Sequence, residues 1–242
     1  MKSIFFSILI GLLFFYQSLS LASALYGHSL SPTIETNKKG EVSLGSYVAS
    51  VGLSDDWMLA SSTWMLYDYN SWSAILKKKF DSSAIQLAYI KSDTINQNFY
   101  VMEAFLAWFI KKYEINSNYE ISLNLNYMHF IDETLPFSFR REPGNDLPYQ
   151  YSISSLHRLK WNKNFGGLLE FGILGLNYVT PEVHSGFGFY FQSQSFLLQL
   201  GASMTARPYN LERLYDEKGS DKTASGGYDF SMHPEVQLQY FL

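Results

Sequence analysis

The chain of 242 residues contains no cysteine. That absence removes disulfide frameworks, thiolate metal sites and lipid attachment through an N-terminal cysteine, so the chain is not a lipoprotein. Positive charge is not in excess either. The formal net charge is −4 at pH 7, and without a cationic field nothing draws in nucleic acid. Beyond the first residues, long apolar runs are missing as well: the longest, Ala104 to Ile110, falls far short of the roughly 20 residues a membrane-spanning helix needs. The five histidines, His28, His129, His157, His184 and His233, never stand at ligand spacing. Asp55-Asp56 would point to opposite faces of a strand and reads as a turn signal. No metal site and no cofactor is expected.

What is present begins with an export signal. Met1-Lys2-Ser3 supplies a short positive region, Ile4 to Tyr16 an almost wholly apolar core, and Ala22-Ser23-Ala24 a small-x-small exit. This order is that of a secretory signal peptide, and the apolar part is too short to span a bilayer as a helix. Cleavage after Ala24 leaves residues 25–242 as one domain.

Aromatic residues make up 17% of the chain while mean hydropathy is only −0.09, so apolar groups must alternate with polar ones. A chain exported to a membrane with no room for helices has one spanning solution, a closed barrel whose backbone groups all pair between strands. The C-terminus alternates most clearly. Phe230, Met232, Pro234, Val236, Leu238, Tyr240 and Leu242 share one face, and Asp229, Ser231, His233, Glu235, Gln237 and Gln239 the other. A turn at Asp81-Ser82 sets Leu76 against Leu87 on the outside and Lys77 against Gln86 inside. A two-residue turn at Ser193-Gln194 sets Phe191 opposite Phe196. A turn centred on Asn164 sets Arg158 across from Glu170 in the interior and Leu159 across from Leu169 on the lipid side.

Two long polar connections, Asp132 to Pro148 and Arg207 to Gly226, belong at the cell surface, and the short turns belong in the periplasm. The expected fold is therefore all-β: a single transmembrane antiparallel up-and-down barrel of about 12 strands, with about 10 as the alternative. Both termini reach the periplasm only if His28 to Thr36 is itself a strand. Aromatic residues then collect at two levels, Trp57, Phe80, Trp161, Phe191, Phe196 and Tyr240 below, and Tyr69, Trp72, Tyr127, Tyr149, Tyr178 and Tyr228 above, as lipid-water boundaries require.

With the signal peptide, the alternating strands and the terminal Val236-Gln237-Leu238-Gln239-Tyr240-Phe241-Leu242, the chain resembles the bacterial outer-membrane β-barrel superfamily. Val236, Leu238, Tyr240 and Leu242 look like the terminal signal read by the barrel-assembly machinery, with Leu242 in place of the usual final Phe. The resemblance implies a Gram-negative outer membrane, with its lipid and lipopolysaccharide as surroundings and that machinery as the partner in biogenesis.

Candidate lumen-lining residues are Lys77, Glu103, Arg158, Lys160, Glu170, His184, Gln199, His233 and Glu235, with Gln86, Asn124, Asn126 and Gln237 adding to a hydrated interior. Phe99, Phe105, Phe109 and Tyr190 fall on the same inward faces and narrow it. Within Lys77-Lys78-Lys79 the middle residue faces out and snorkels. No histidine sits in a recognisable catalytic constellation, so no enzyme is expected. The expectation is a narrow passive channel for small polar solutes or ions. A sealed structural or adhesive barrel and a membrane-embedded lipid hydrolase are the alternatives.

Overall fold

A computed structural model describes residues 31–63, 71–93, 101–134, 147–178, 181–193, 195–208 and 228–242. The signal peptide, Tyr69, Phe99 and most of both long connections lie outside these residues, as does the side chain of Tyr228. The strands are β1 (Val42–Gly45), β2 (Val48–Gly52), β3 (Trp57–Ser62), β4 (Ser71–Phe80), β5 (Ser83–Asp93), β6 (Val101–Asn116), β7 (Tyr119–Thr134), β8 (Tyr149–Lys160), β9 (Phe165–Leu174), β10 (Glu182–Gln192), β11 (Phe196–Pro208) and β12 (Tyr228–Phe241). Each pairs antiparallel with its sequence neighbours and β12 closes onto β1, giving a closed barrel of 12 strands.

Alternation decides which side chains fill the barrel. In β5, Ala84, Gln86, Ala88 and Ile90 are buried while Ile85 and Leu87 are exposed; in β10, His184, Gly186, Gly188 and Tyr190 are buried between exposed Val183, Phe187 and Phe189. The outer surface is thus apolar, the reverse of a soluble protein's arrangement. Around the end that carries the short turns, here the lower end, Trp161 meets Phe165 and Phe189 at ring-centroid distances of 5.0 and 5.6 Å, and Phe196 meets Phe191 at 5.5 Å and Tyr240 at 6.2 Å. Toward the other end Tyr127, Tyr149 and Tyr151 cluster, as do Trp72 and Tyr89. Lys78 lies outside, its ammonium 4.5 Å from the Trp57 ring centre and 5.3 Å from that of Phe80.

The Lys77–Gln86 and Leu76–Leu87 pairs form as expected. Two other registers differ. Arg158 stands opposite Leu168 and Leu159 opposite Gly167, while Glu170 faces Leu156. The turn is centred on Lys163, because Asn162 Oδ1 accepts the N–H groups of Asn164 and Phe165, each at 2.9 Å. Moving a turn centre by one residue shifts the register by two, so every side chain keeps its face and changes its partner. Likewise Phe191 opposes Leu198, and Phe196 opposes Tyr240, because the turn includes Ser195; Phe191 and Phe196 meet only diagonally.

Three inward assignments are also corrected. Phe105 and Phe109 are 38% and 46% exposed and face outward, while Ala104, Leu106, Trp108 and Ile110 face in. Glu103 shares the outward face with Phe105, beside Lys91 and the Tyr89 hydroxyl. The run Ala104 to Ile110 is apolar on both faces, so its own polarity cannot say which side is inside.

The largest departure concerns the segment expected to be the first strand. The described part of His28 to Thr36 makes no strand; it runs inside the barrel, with Ser31 fully buried and Ile34 only 3% exposed. The count of 12 is reached through β1 and β2, on either side of Ser46-Tyr47. Val42 and Leu242 still meet at the lower end, exchanging backbone hydrogen bonds of 3.2 and 2.7 Å.

Candidate functional site

The barrel interior is two-sided. Strands β3 to β6 present an apolar wall of Met58, Ala60, Ile75, Ala88, Leu106 and Ile110, and Ile34 of the inner segment packs on it. Strands β7 to β12 present a polar wall that includes Glu120, Asn124, Ser154, Glu170, His184 and Gln199, all buried. The inner segment therefore covers the face that water would wet least favourably.

Polar contacts fasten this segment at both ends. Ser31 Oγ donates to Ser154 Oγ at 2.7 Å. Lys77 Nζ donates to the carbonyl oxygens of Thr33 and Glu35 at 2.9 and 3.2 Å. Asn37 Nδ2 donates to the hydroxyls of Ser43 and Ser50 at 3.3 and 3.1 Å. At Gly52 the segment's backbone comes so close that an added Cβ would lie 2.7 Å from the Asn37 carbonyl oxygen, which is why this wall position carries no side chain.

Beside the segment, and lined in part by its Thr33, Glu35 and Asn37, lies a cavity of about 520 Å³ toward the lower end of the lumen. Lys112, Glu120, Arg158 and Lys160 converge there because β6, β7 and β8 reach their lower ends side by side. The Glu120 carboxylate receives Arg158 Nη1 at 3.1 Å, Lys160 Nζ at 3.0 Å and Lys112 Nζ at 3.4 Å. Lys112 also contacts Glu35 at 3.4 Å, and Lys79 reaches the other Glu35 oxygen at 3.7 Å. The Arg158 guanidinium stacks 5.1 Å from the Tyr190 ring centre. Charge-assisted bonds of this kind hold their groups firmly once water is thinned out.

The residues singled out in the sequence thus fall into separate groups. Lys77, Arg158 and Lys160 border the cavity. Gln199 also borders the cavity; Glu170 and His184 pair with each other further up the polar wall at 3.3 Å, and Glu235 is likewise buried. The backbone of His233 stands opposite Ser203, and its side chain lies outside the described residues. Glu103 is outside the barrel. Sequence reasoning missed Lys112, Glu120 and above all Glu35, while the lysine run already left Lys79 on the side of Lys77. Alternation counted outward from the turn signal Asn116-Ser117-Asn118 would have found Lys112 and Glu120; nothing periodic marks Glu35.

On the outer face, His157 Nδ1 lies 2.7 Å from the Tyr119 hydroxyl and its Nε2 lies 3.2 Å from Ser155 Oγ. Backbone N–H groups beside Ser155 are committed to the ladders with β7 and β9, so this string has no donor pair there for a developing oxyanion. Among the described residues no His, Asp and Glu cluster could hold a metal ion.

No protein-family model and no curated protein matches the chain. Similar solved structures include the outer membrane channel DcaP of Acinetobacter baumannii (8% identity, TM-score 0.36, covering 81% of this chain and 61% of that one). They also include an anion-selective porin from Comamonas acidovorans (7%, 0.39, 81% and 58%) and OmpT, an outer membrane protein of Vibrio cholerae (10%, 0.37, 81% and 63%). This chain spans about three fifths of the length of these structures.

Proposed function

We propose that the chain is a Gram-negative outer-membrane barrel that provides a narrow passive passage for small polar solutes or ions. In this reading the signal peptide exports it, the barrel-assembly machinery inserts it through the terminal strand, and lipid with lipopolysaccharide surrounds it. The observation that carries the reading is the inversion of polarity. Exposed Leu, Ile and Phe side chains cover the outside of a wall without free ends, while charged groups line a cavity of about 520 Å³ within. Such an object is stable where the exterior is hydrocarbon and the interior is wet. The inner segment makes the passage narrow rather than porin-wide.

Planar-bilayer recording on refolded protein tests this directly. Discrete conductance steps of small size are expected; a barrel that inserts and stays silent is a structural scaffold instead.

A further inference from the structure

Resting on the channel reading, we infer that the lower cavity is a binding site for a small phosphate- or carboxylate-bearing solute, and that the Glu35 carboxylate is its built-in occupant, displaced when the solute arrives. Three observations carry this. The first is charge. Lys77, Lys112, Arg158 and Lys160 line the cavity against Glu35 and Glu120, while Lys38 and Glu41 add one charge of each sign. In a chain that is −4 as a whole, cations are thus in excess around this half-open cavity, and a local excess of one sign concentrates ions of the other.

The second is the difference between the two carboxylates. Glu120 belongs to the wall, is 8% exposed at its side chain and holds Arg158 and Lys160 at 3.1 and 3.0 Å. Glu35 arrives on a segment that forms no strand, is 47% exposed at its side chain and makes longer contacts of 3.4 and 3.7 Å with Lys112 and Lys79. Its place between two ammonium groups is one that a free carboxylate or phosphate can take, because the contacts it replaces are long and half-exposed and the segment stays fastened by Lys77 and Asn37.

The third is a spare donor. The Arg158 Nε is buried and has no acceptor among the described residues, although Arg158 borders the cavity. A guanidinium that holds Glu120 through one nitrogen and borders the cavity can turn its unpaired Nε edge, covered in this structure, toward a second oxyanion and meet it in plane.

Calorimetric titration of detergent-refolded protein with inorganic phosphate and with succinate, against chloride at equal ionic strength, tests the site apart from conduction. One of the two should bind in preference to chloride. Lys112→Gln and Arg158→Gln, in variants that keep heat-modifiable migration, should each weaken that binding on the order of tenfold, the effect of losing one charge-assisted contact. Glu35→Gln should tighten it several-fold, since the competitor is gone. Binding in a protein that shows no conductance would support the site while removing the channel. Conductance with neither anion preferred over chloride overturns the inference, and so does a Glu35→Gln variant whose affinity is unchanged or weaker.

Discussion

His184 Nε2 lies 3.3 Å from a Glu170 carboxylate oxygen on the inside of the wall, with 3% and 0% of the two side chains exposed, and the other ring nitrogen lies 3.3 Å from the Thr205 hydroxyl. The pair spans β9 and β10 and ties two strands whose facing positions are otherwise glycines, Gly172 and Gly186. Removing one partner strands the other away from water. Glu170→Ala is therefore expected to lower stability by about 3 kcal/mol, and Glu170→Gln by less, because its amide oxygen still accepts from an imidazole N–H. Urea unfolding in lipid vesicles measures both; an unshifted alanine variant would show the pair to be without energetic weight.

The inner segment is pressed against the wall at Gly52, so a side chain there must push it away. Gly52→Val should raise single-channel conductance while the outer strands stay paired, since the Cβ collides with the Asn37 and Lys38 backbone rather than with a strand. Equal conductance in a folded variant would mean that the segment does not limit the passage.

Barrel closure depends on a short seam. β1 has 4 residues, and its ladder to β12 runs only from Ser43–Phe241 to Gly45–Gln239. Leu242 adds two backbone hydrogen bonds to Val42, so deleting it should cost about 2 kcal/mol at the seam. Tyr240→Ala removes the ring packed on Phe196. Both changes should reduce the heat-modifiable, folded fraction recovered from membranes, and normal yield in both would argue against a special role for the terminal residues.

Orientation is testable at a described turn. If the short turns face the periplasm, a cysteine placed at Lys163 in this cysteine-free chain should stay unlabelled by an impermeant reagent on intact cells and react once the outer membrane is opened. Labelling on intact cells would turn the barrel over.

Strand existence and facing were legible in the residues because both are local. A period of two in β5, β8, β10 and β12 assigns each side chain to one side of a sheet, whatever lies next to it, and the closed barrel follows from the need to pair every backbone group. That is why Lys77, Arg158, Glu170, His184 and Gln199 were placed inside from sequence. Partners were a different matter. Arg158 does not face Glu170 because the turn at Asn162 to Asn164 closes one residue earlier than its composition suggests; Arg158 instead meets Glu120 across the β7–β8 ladder and Glu170 meets His184 across β9–β10, and each register is a property of two strands together. β6, apolar on both faces from Ala104 to Ile110, carries no inside or outside until β5, β7 and the inner segment surround it. Residues 31–37 have neither period, so only tertiary contacts could send them into the lumen. An apolar half-wall needs cover there, Lys77 donates to the segment's backbone carbonyls, and the hydroxyls of Ser154, Ser43 and Ser50 accept from its Ser31 and Asn37 side chains.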